Sequence, residues 1–495
     1  IQLSGTSVYL TTVQVQYSEG AAEEYLLALG FAADAHAAEL RQNRGASIVA
    51  HLVKEGQADI AGVLYDALAD SDLAQAMLDS IARRRTLKGE KGELRGIPTR
   101  ALRKLIAPPQ IIPMATVVKG EQSNTSVVFG DRLVLKFFRR LHSGINPDLE
   151  IVRFLNEKTA FRNLPPLAGH IELRCPGQEA KLAAILQGWV VHETDGWNYT
   201  LDNLKQYFEH CLARKYDESE LPVPRRHLLD LTEAETPRAA QAAIGGYLAL
   251  AGLLGQRTAE LHLALASVSE DANFAPEPFT PHYRHSLYQS LRTFAYKTFG
   301  LLRERMANVP EGIRPQATEV LAAESRLLAR YHVLIEKKIA AARLRCHGDF
   351  HLGQVLFTGK DFVIVDFEGE PARTLGERRI KRSPLRDVAG MVRSFDYAAI
   401  VGLRTNGHRP DDVNALAPWT RLWNVWVSVA FLRRYLQIAG RGSFLPKSRD
   451  DLKTLLDILV LDKAVYELSY ELNNRPDWVD VPLRGILELL NNNEG

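Results

Sequence analysis

Cysteine is scarce in this chain of 495 residues. Cys175, Cys211 and Cys346 are an odd number, without the paired spacing of a zinc site or the density of a disulfide scaffold, so a reducing cytoplasm is the expected compartment. Surplus charge is scarce too: 61 Lys and Arg against 59 Asp and Glu leave a formal +2. That removes any global electrostatic case for nucleic acid or for an anionic membrane surface, and an anionic ligand has to be held by a local site. Long apolar runs are missing; the longest, AAIGGYLALAGLLG at 242–255, falls short of a bilayer span and soon meets Arg257 and Glu260. No secretory segment opens the chain, and there is no internal repeat of useful period and no long low-complexity tract. It begins at Ile1 and not at Met, which fits a piece of a longer polypeptide. What remains is an ordinary globular composition, 46% hydrophobic and 24% charged, large enough for two or three domains.

Residues 1–69 alternate apolar and polar positions in short runs (SVYLTTVQVQY, EEYLLALGFA, ASIVAHLVKEG, ADIAGVLYDAL) separated by Gly turns, the pattern of antiparallel hairpins. SDLAQAMLDSIARRR then reads as a helix capped by Ser71, and LKGEKGELRG as a loop or linker. The first 105 residues are therefore taken as a small α+β cap unit. Residues 106–200 are a second strand-rich unit, with QIIPMATVVKG, TSVVFGD, RLVLKFFRR and AKLAAILQGWVV as strands and a helix starting after Pro147. From 201 to 495 the pattern is helical almost throughout, interrupted mainly by one hairpin.

That hairpin, HGDFHLGQVLFTGKDFVIVDFEGEP at 347–371, concentrates the chemistry. Two apolar runs flank the turn Thr358-Gly359-Lys360-Asp361, so Phe357 should face Phe362, and Gln354 should face Val365, next to Asp366. Gln354 and Asp366 can then share one ion, and an amide with a carboxylate suits Mg²⁺, a hard cation that fills its other positions with water and phosphate oxygens. Asp349, in the loop before the hairpin, is free to face a hydroxyl as proton acceptor. Asp, then an amide, then a strand ending in Asp-Phe is the order of catalytic and metal-binding groups in phosphoryl transfer. Each acid alone reads as an ordinary turn residue. His351 is either a packed loop histidine or a substrate contact, and His347 a structural support for the loop.

Phosphoryl transfer also needs a cation on the nucleotide phosphates. Lys136 sits inside an apolar strand, where an unpaired lysine is out of place, and Glu150 in the first turn of the next helix is its expected partner. GEQSNTSVVFGD lacks a G-x-G-x-x-G run, so any phosphate grip would come from backbone N–H groups and from Ser123, Asn124, Thr125 and Ser126; the bland reading of this cluster is a turn. Gln187 to Val190 would supply a hinge whose backbone pairs with the nucleotide base.

At these residues the chain resembles the maltokinase family. HGDFHLGQVLF, VDFEGEPARTLGERRIKRSPLRDVAGMVRSFDYAA, TDGWNYTLDNL and DKAVYELSYELNNRPDWVDVPLRGI look like that family's motifs, and the likeness runs over essentially the whole chain. It implies an α+β, bilobal protein kinase-like (aminoglycoside phosphotransferase-like) fold with an extra N-terminal cap and a mostly helical C-lobe. It further implies phosphorylation of maltose at its anomeric hydroxyl by ATP with Mg²⁺, giving maltose 1-phosphate for glycogen-type α-glucan synthesis. Carried over residue by residue, Asp349 is the base, Gln354 and Asp366 the metal ligands, and Lys136 with Glu150 the nucleotide clamp. WVVHETDGW departs from the family's commoner hinge wording, so adenine and guanine both stay open. Some members are fused behind a trehalose synthase domain, and the start at Ile1 fits a piece of such a fusion.

In DKAVYELSYE, Lys463, Tyr466, Glu467 and Tyr470 stand at i, i+3, i+4 and i+7, on one helical face. Polar groups for hydroxyls and flat rings for C–H faces are what a sugar needs, although periodicity alone fits a solvated face equally well. Arg484 is a candidate for a further contact to a distal glucose. Asp387 is expected to brace the catalytic loop and Arg393 to pair with a nearby acid, while Trp423 and Trp426 read as core. The competing readings are a kinase for another small sugar, aminosugar (glucosamine) or aminoglycoside, and a silent scaffold domain in a trehalose synthase assembly.

Overall fold

The computed structural model describes residues 1, 8–18, 20, 22–53, 60–106, 115–117, 124–214, 226–371, 373–405 and 409–491. They fall into a sheet-rich unit of Ile1–Lys158, Leu164–Val191 and Arg373–Glu377, and a mostly helical unit of Thr159–Asn163, His192–Ala372 and Arg378–Gly495.

In the sheet-rich unit the four runs read as hairpins become strands β1 (Val8–Val15), β2 (Glu23–Ala32), β3 (Ile48–Val53) and β4 (Ile60–Asp66), paired in the order β1-β2-β4-β3. Alternation puts Val8, Leu10, Leu26, Ala28, Val63 and Tyr65 on the covered face. Helix α1 is Asp34–Asn43, and α2, Ser71–Ala82, buries Leu73, Met77, Leu78 and Ile81 in the same core. Its cap differs from the expectation: Ser71 is already the first helical residue, and Asp70 holds the cap position with its carboxylate taken by the Tyr65 hydroxyl at 2.7 Å.

LKGEKGELRG, read as a loop or linker, instead forms most of β5 (Thr86–Lys88) and β6 (Glu93–Pro98), joined by a turn in which Gly89 N–H donates to Gly92 O at 2.8 Å. Its charged residues belong to the turn and the solvent face, while Leu94 is fully buried. Gly96 is inside the strand because a Cβ there would lie 2.2 Å from the Ser80 carbonyl oxygen, where α2 crosses. β6 joins a seven-stranded sheet of order β5-β6-β11-β12-β9-β8-β7, so that sheet draws strands from both sides of residue 105. Here β7 is Ala115–Val117, β8 Asn124–Phe129, β9 Leu133–Phe138, β11 Leu167–Arg174 and β12 Lys181–Gly188, while β10 (Arg140–Leu141) pairs with β2. After α3 (Arg100–Leu105), α4 (Pro147–Lys158) starts at Pro147 as the sequence suggests, with the Asn146 side chain accepting from Asp148 N–H.

The long helices of the second unit are α5 (Gly196–Arg214), α6 (Tyr247–Leu265), α7 (Pro281–Glu304), α8 (Glu324–Glu336), α9 (Leu385–Thr405), α10 (Pro410–Ala439), α11 (Arg449–Asn474) and α12 (Asp480–Asn491). Among them lies a three-stranded sheet of β13 (Thr194–Asp195), β14 (Val355–Phe357) and β15 (Phe362–Ile364). Trp423 and Trp426 are in the core, at 1% and 2% exposure. Among the described residues no helix is long and apolar enough to cross a membrane.

Helices α6 and α10 meet backbone to backbone at Gly255, where a Cβ would lie 2.2 Å from the Phe431 carbonyl oxygen. Gly255→Ala is therefore expected to lower stability by roughly 1–3 kcal/mol in urea unfolding. Gly252→Ala, one turn earlier with its nearest neighbour at 3.8 Å, should be neutral or slightly stabilising.

Candidate active site

The loop before the hairpin is held from beneath by Asp387, in the first turn of α9 and 1% exposed. Its carboxylate accepts from His347 N–H (2.8 Å), Gly348 N–H (3.0 Å) and His262 Nε2 (3.1 Å). Burial works against the charge on Asp387, but these donors outweigh it and hold the carboxyl below the usual range. Gly348 takes φ +90, a conformation that a side chain would strain, and this turns the next residue, Asp349, into the open. The buried His347 ring donates from Nε2 to the Val365 carbonyl at 2.9 Å and accepts from Asp349 N–H at Nδ1, so one imidazole links the loop to the hairpin.

The hairpin has the register expected of it, with Phe357 opposite Phe362 and Val355 opposite Ile364, and Val365 N–H donates to Gln354 O at 3.0 Å. Gly359 takes φ +83 in the turn, and Arg257 of α6 clamps Asp361 with two hydrogen bonds of 2.8 and 2.7 Å. Gln354 Nε2 stands 3.2 Å from Asp366 Oδ2. Glu368, which sequence reasoning passed over, offers a carboxylate oxygen within 4.8 Å of one on Asp366. The two carboxylates offer oxygen donors, and Gln354 would join them by turning its amide to present Oε1 in place of Nε2; such a set fits a hard divalent cation such as Mg²⁺ and not a soft metal.

In the sheet-rich unit, Lys136 pairs with Asp148 at 3.3 Å, the two side chains 12% and 2% exposed. Glu150, the partner expected from the sequence, is half-buried two residues further along α4, and Asp148 is an acid that sequence reasoning did not name. Asp148 was overlooked because the Pro147 start puts both acids in the first turn, and spacing does not say which one faces the strand. Asn124, Thr125 and Ser126, named with Ser123 as the source of any phosphate grip, are the first residues of β8, in line with the reading of TSVVFGD as a strand. Thr125 and Ser126 are buried, and the Thr125 hydroxyl accepts from Arg139 Nε at 2.8 Å; their β-branched surroundings favoured the strand. Ser123 lies outside the described residues. Gln187 is still inside β12, opposite Val134, and Val190 follows it just before this unit ends at Val191.

Back in the helical unit, a cavity of about 410 Å³ opens over Asp349. Lys463 of α11 donates to Asp349 Oδ1 at 3.0 Å and lies 4.4 Å from the Tyr466 ring centroid. Burial opposes its charge, yet Asp349 and Glu370 more than compensate and raise its pKa. His351 lines the cavity with Nε2 4.0 Å from Asp349 Oδ2; burial pushes its pKa down, helped by Lys463 and resisted by Asp349. Tyr466, Glu467 and Tyr470 share the wall, and Glu467 Oε2 accepts from Arg393 Nε and Nη2 at 3.0 and 2.7 Å. Arg484 is not among the residues that line this cavity: on α12 it stands 3.8 Å from Glu488, one helical turn away.

The cavity also has residues that the sequence reading missed. Glu471 continues the α11 face at i+8 from Lys463, accepting from Tyr397 Oη at 2.6 Å and from Arg475. Burial and Glu471 together raise the Tyr397 phenol's pKa. Trp197 packs 6.3 Å from the Tyr397 ring. The i+8 position was available as a signal for Glu471; Trp197 and Tyr397 come from other helices and lie inside the motif-like stretches TDGWNYTLDNL and SFDYAA, where neither was singled out.

Residues 202–369 match the phosphotransferase enzyme family (APH). Glucosamine kinases from Streptacidiphilus jiangxiensis and Mycolicibacterium smegmatis (strain ATCC 700084 / mc(2)155) are each 26% identical over 377 residues, covering 75% of this chain and 72% and 78% of theirs. A glucosamine kinase structure in complex with glucosamine, ADP and inorganic phosphate superposes with a TM-score of 0.59 over 98% of this chain and 96% of that one, at 21% identity. A second glucosamine kinase structure, crystal form B, gives 0.60 over 99% and 96%, also at 21% identity. The chain thus has the kinase-like α+β fold with a helical C-terminal part, and it is a phosphotransferase.

The Asp387 brace carries a pH signature. A carboxyl held below its ordinary value adds stability that is complete above about pH 4 and fades as the pH falls through the folded-state value. Asp387→Asn should destabilise the protein by at least about 2 kcal/mol at pH 7, since hydrogen bonds to charged groups contribute roughly 1.5–3 kcal/mol each. The gap from wild type should narrow below about pH 4 in urea titrations, because the asparagine has no charge to lose.

Proposed function

We propose that the chain is an ATP- and Mg²⁺-dependent sugar kinase whose acceptor is maltose, phosphorylated at the anomeric hydroxyl to give maltose 1-phosphate. The observation that carries this reading is Asp349 in the lining of an aromatic-walled cavity with one carboxylate oxygen held by the half-buried Lys463. With Oδ1 engaged by Lys463, Oδ2 is left to orient the acceptor hydroxyl and take its proton. Lys463 holds the Asp349 carboxylate in one orientation through that hydrogen bond. His351, its pKa lowered by burial, is neutral near pH 7 and can meet a sugar hydroxyl without adding charge. Trp197, Tyr397, Tyr466 and Tyr470 supply flat surfaces for C–H faces.

The acids of the cavity favour an uncharged acceptor. Asp349 is paired with Lys463, Glu467 with Arg393, and Glu471 with Arg475. An ammonium group would find no carboxylate without a cation already on it, whereas hydroxyls can share these charged hydrogen-bond networks. Mg²⁺ bound through Gln354 and Asp366 would supply charge neutralisation on the transferred phosphate. In the sheet-rich unit Lys136, steadied by Asp148, is the cation assigned to the nucleotide phosphates, with Glu150 beside it. The strand end at Gln187 to Val190 is assigned to the base. A second reading, glucosamine as acceptor, is favoured by the relatives of that name.

Maltose, glucose and glucosamine offered side by side with labelled ATP separate these readings, and maltose should be turned over fastest. Turnover of glucosamine without maltose would replace the acceptor and leave the kinase reading standing. Asp349→Asn should reduce kcat by roughly 10²–10⁴-fold with the melting temperature little changed, and an unaffected rate would remove Asp349 from the chemistry. EDTA should abolish activity, with Mg²⁺ restoring it.

A further inference from the structure

The acceptor cavity has two walls that meet at Asp349. One is the segment after the hairpin, which reaches the cavity at Pro371; the other is the α11 face that starts with Lys463. The residue just before each is an acid turned away from water: Glu370 is 2% exposed and Asp462 is 5%. A single side chain reaches both. Arg386 donates from Nη2 to Glu370 Oε1 at 2.6 Å and from Nη1 to Asp462 Oδ2 at 3.2 Å. It is itself only 11% exposed. Its neighbour in sequence, Asp387, braces the loop that carries Asp349. Two consecutive residues at the start of α9 therefore hold the floor and both walls.

We infer that Arg386 is a positioning residue that sets the spacing of the two cavity walls and thereby seats Lys463 on Asp349. This rests on the reading of Asp349 as proton acceptor. A buried ion triad contributes little to stability beyond what apolar residues of the same volume would give, so energy alone does not explain three charged groups here. What a guanidinium does better than an apolar contact is fix direction: its planar fork holds two carboxylates at set angles, where a lysine's single ammonium is a point charge. If Glu370 and Asp462 drift apart, Pro371 and Lys463 move with them, and a shift of about 1 Å at the reacting groups is enough to cost on the order of 10²-fold in rate.

The test is a double-mutant cycle on the two acids, Glu370→Gln and Asp462→Asn, which keep shape and leave Arg386 in place. Activity is measured with whichever acceptor the panel selects. Each single variant should lower kcat by roughly tenfold with the KM for ATP unchanged, and the double variant should be no worse than the poorer single one, because both act through one guanidinium. Arg386→Lys keeps the charge but lacks the planar fork that sets the directions of both carboxylates, and should resemble a single variant. Effects that multiply in the double variant, singles with wild-type kcat, or Arg386→Lys at wild-type rate would each overturn the inference. Circular dichroism and melting curves restrict the comparison to folded protein. Asp349→Asn run in parallel keeps the two levels apart: full activity there defeats the reading of the site, whereas an inactive Asp349→Asn with a multiplicative cycle defeats only Arg386.

Discussion

Asp387 is ionised in a place that water does not reach, and the geometry of the active loop depends on it. A buried carboxylate costs several kcal/mol to desolvate unless donors surround it. Here they are two backbone N–H groups of the loop and the His262 ring, which is itself held by the Tyr435 hydroxyl at 3.0 Å. Because the donors belong to His347 and Gly348, satisfying the charge and shaping the loop are the same event. Gly348 is then free to take its positive φ, and Asp349 is presented to the cavity. His347 carries the constraint onward to Val365, so α9, the loop and the hairpin form one hydrogen-bonded unit.

Charge compensation runs through the rest of the site. Every acid named along the cavity has a basic partner, and several of the pairs are nearly out of water: Lys463 with Asp349, Arg393 with Glu467 and Asp396, Arg386 with Glu370 and Asp462. Such pairs are poor sources of stability but good rulers, since each fixes a distance between two backbone segments. The result is a pocket rich in charge with little net charge of its own, which can hydrogen-bond many hydroxyls in fixed directions.

What could be read from the sequence was local. The hairpin register followed from two apolar runs and a Gly-containing turn, and the α11 stripe from helical spacing alone. The helical character of the C-terminal unit and the hairpins of residues 1–69 came from the same periodicities. Legibility failed where a long-range partner decides. Lys136 faces Asp148 because of how α4 packs on the sheet, which spacing along α4 does not reveal. β5 and β6 looked like linker because their charges are dense, yet Leu94 is buried once β11 pairs beside it. Arg484 lay in a motif-like stretch, but its side chain turns along α12 toward Glu488. Trp197 and Tyr397 enter the cavity from α5 and α9, helices whose approach no local pattern announces.

The nearness of Gln354 and Asp366 has a cause different from the one that first suggests it. Opposed residues of a hairpin share a face and successive ones alternate, so an extended chain would leave Val365 on the side of Gln354 and carry Asp366 to the other. Asp366 does not continue the strand: it has φ +64, one of few non-glycine residues with a positive φ among those described. That conformation costs on the order of 1 kcal/mol or more, although aspartate tolerates it better than most. It persists because Val365 is pinned on both sides, its N–H to Gln354 O and its carbonyl to His347 Nε2, leaving the next residue to absorb the turn. The kink returns the Asp366 carboxylate to within 3.2 Å of the Gln354 amide. The amide and the carboxylate are therefore brought together by backbone strain imposed from the loop, and the same histidine that shapes the loop around Asp349 also places the group assigned to the metal.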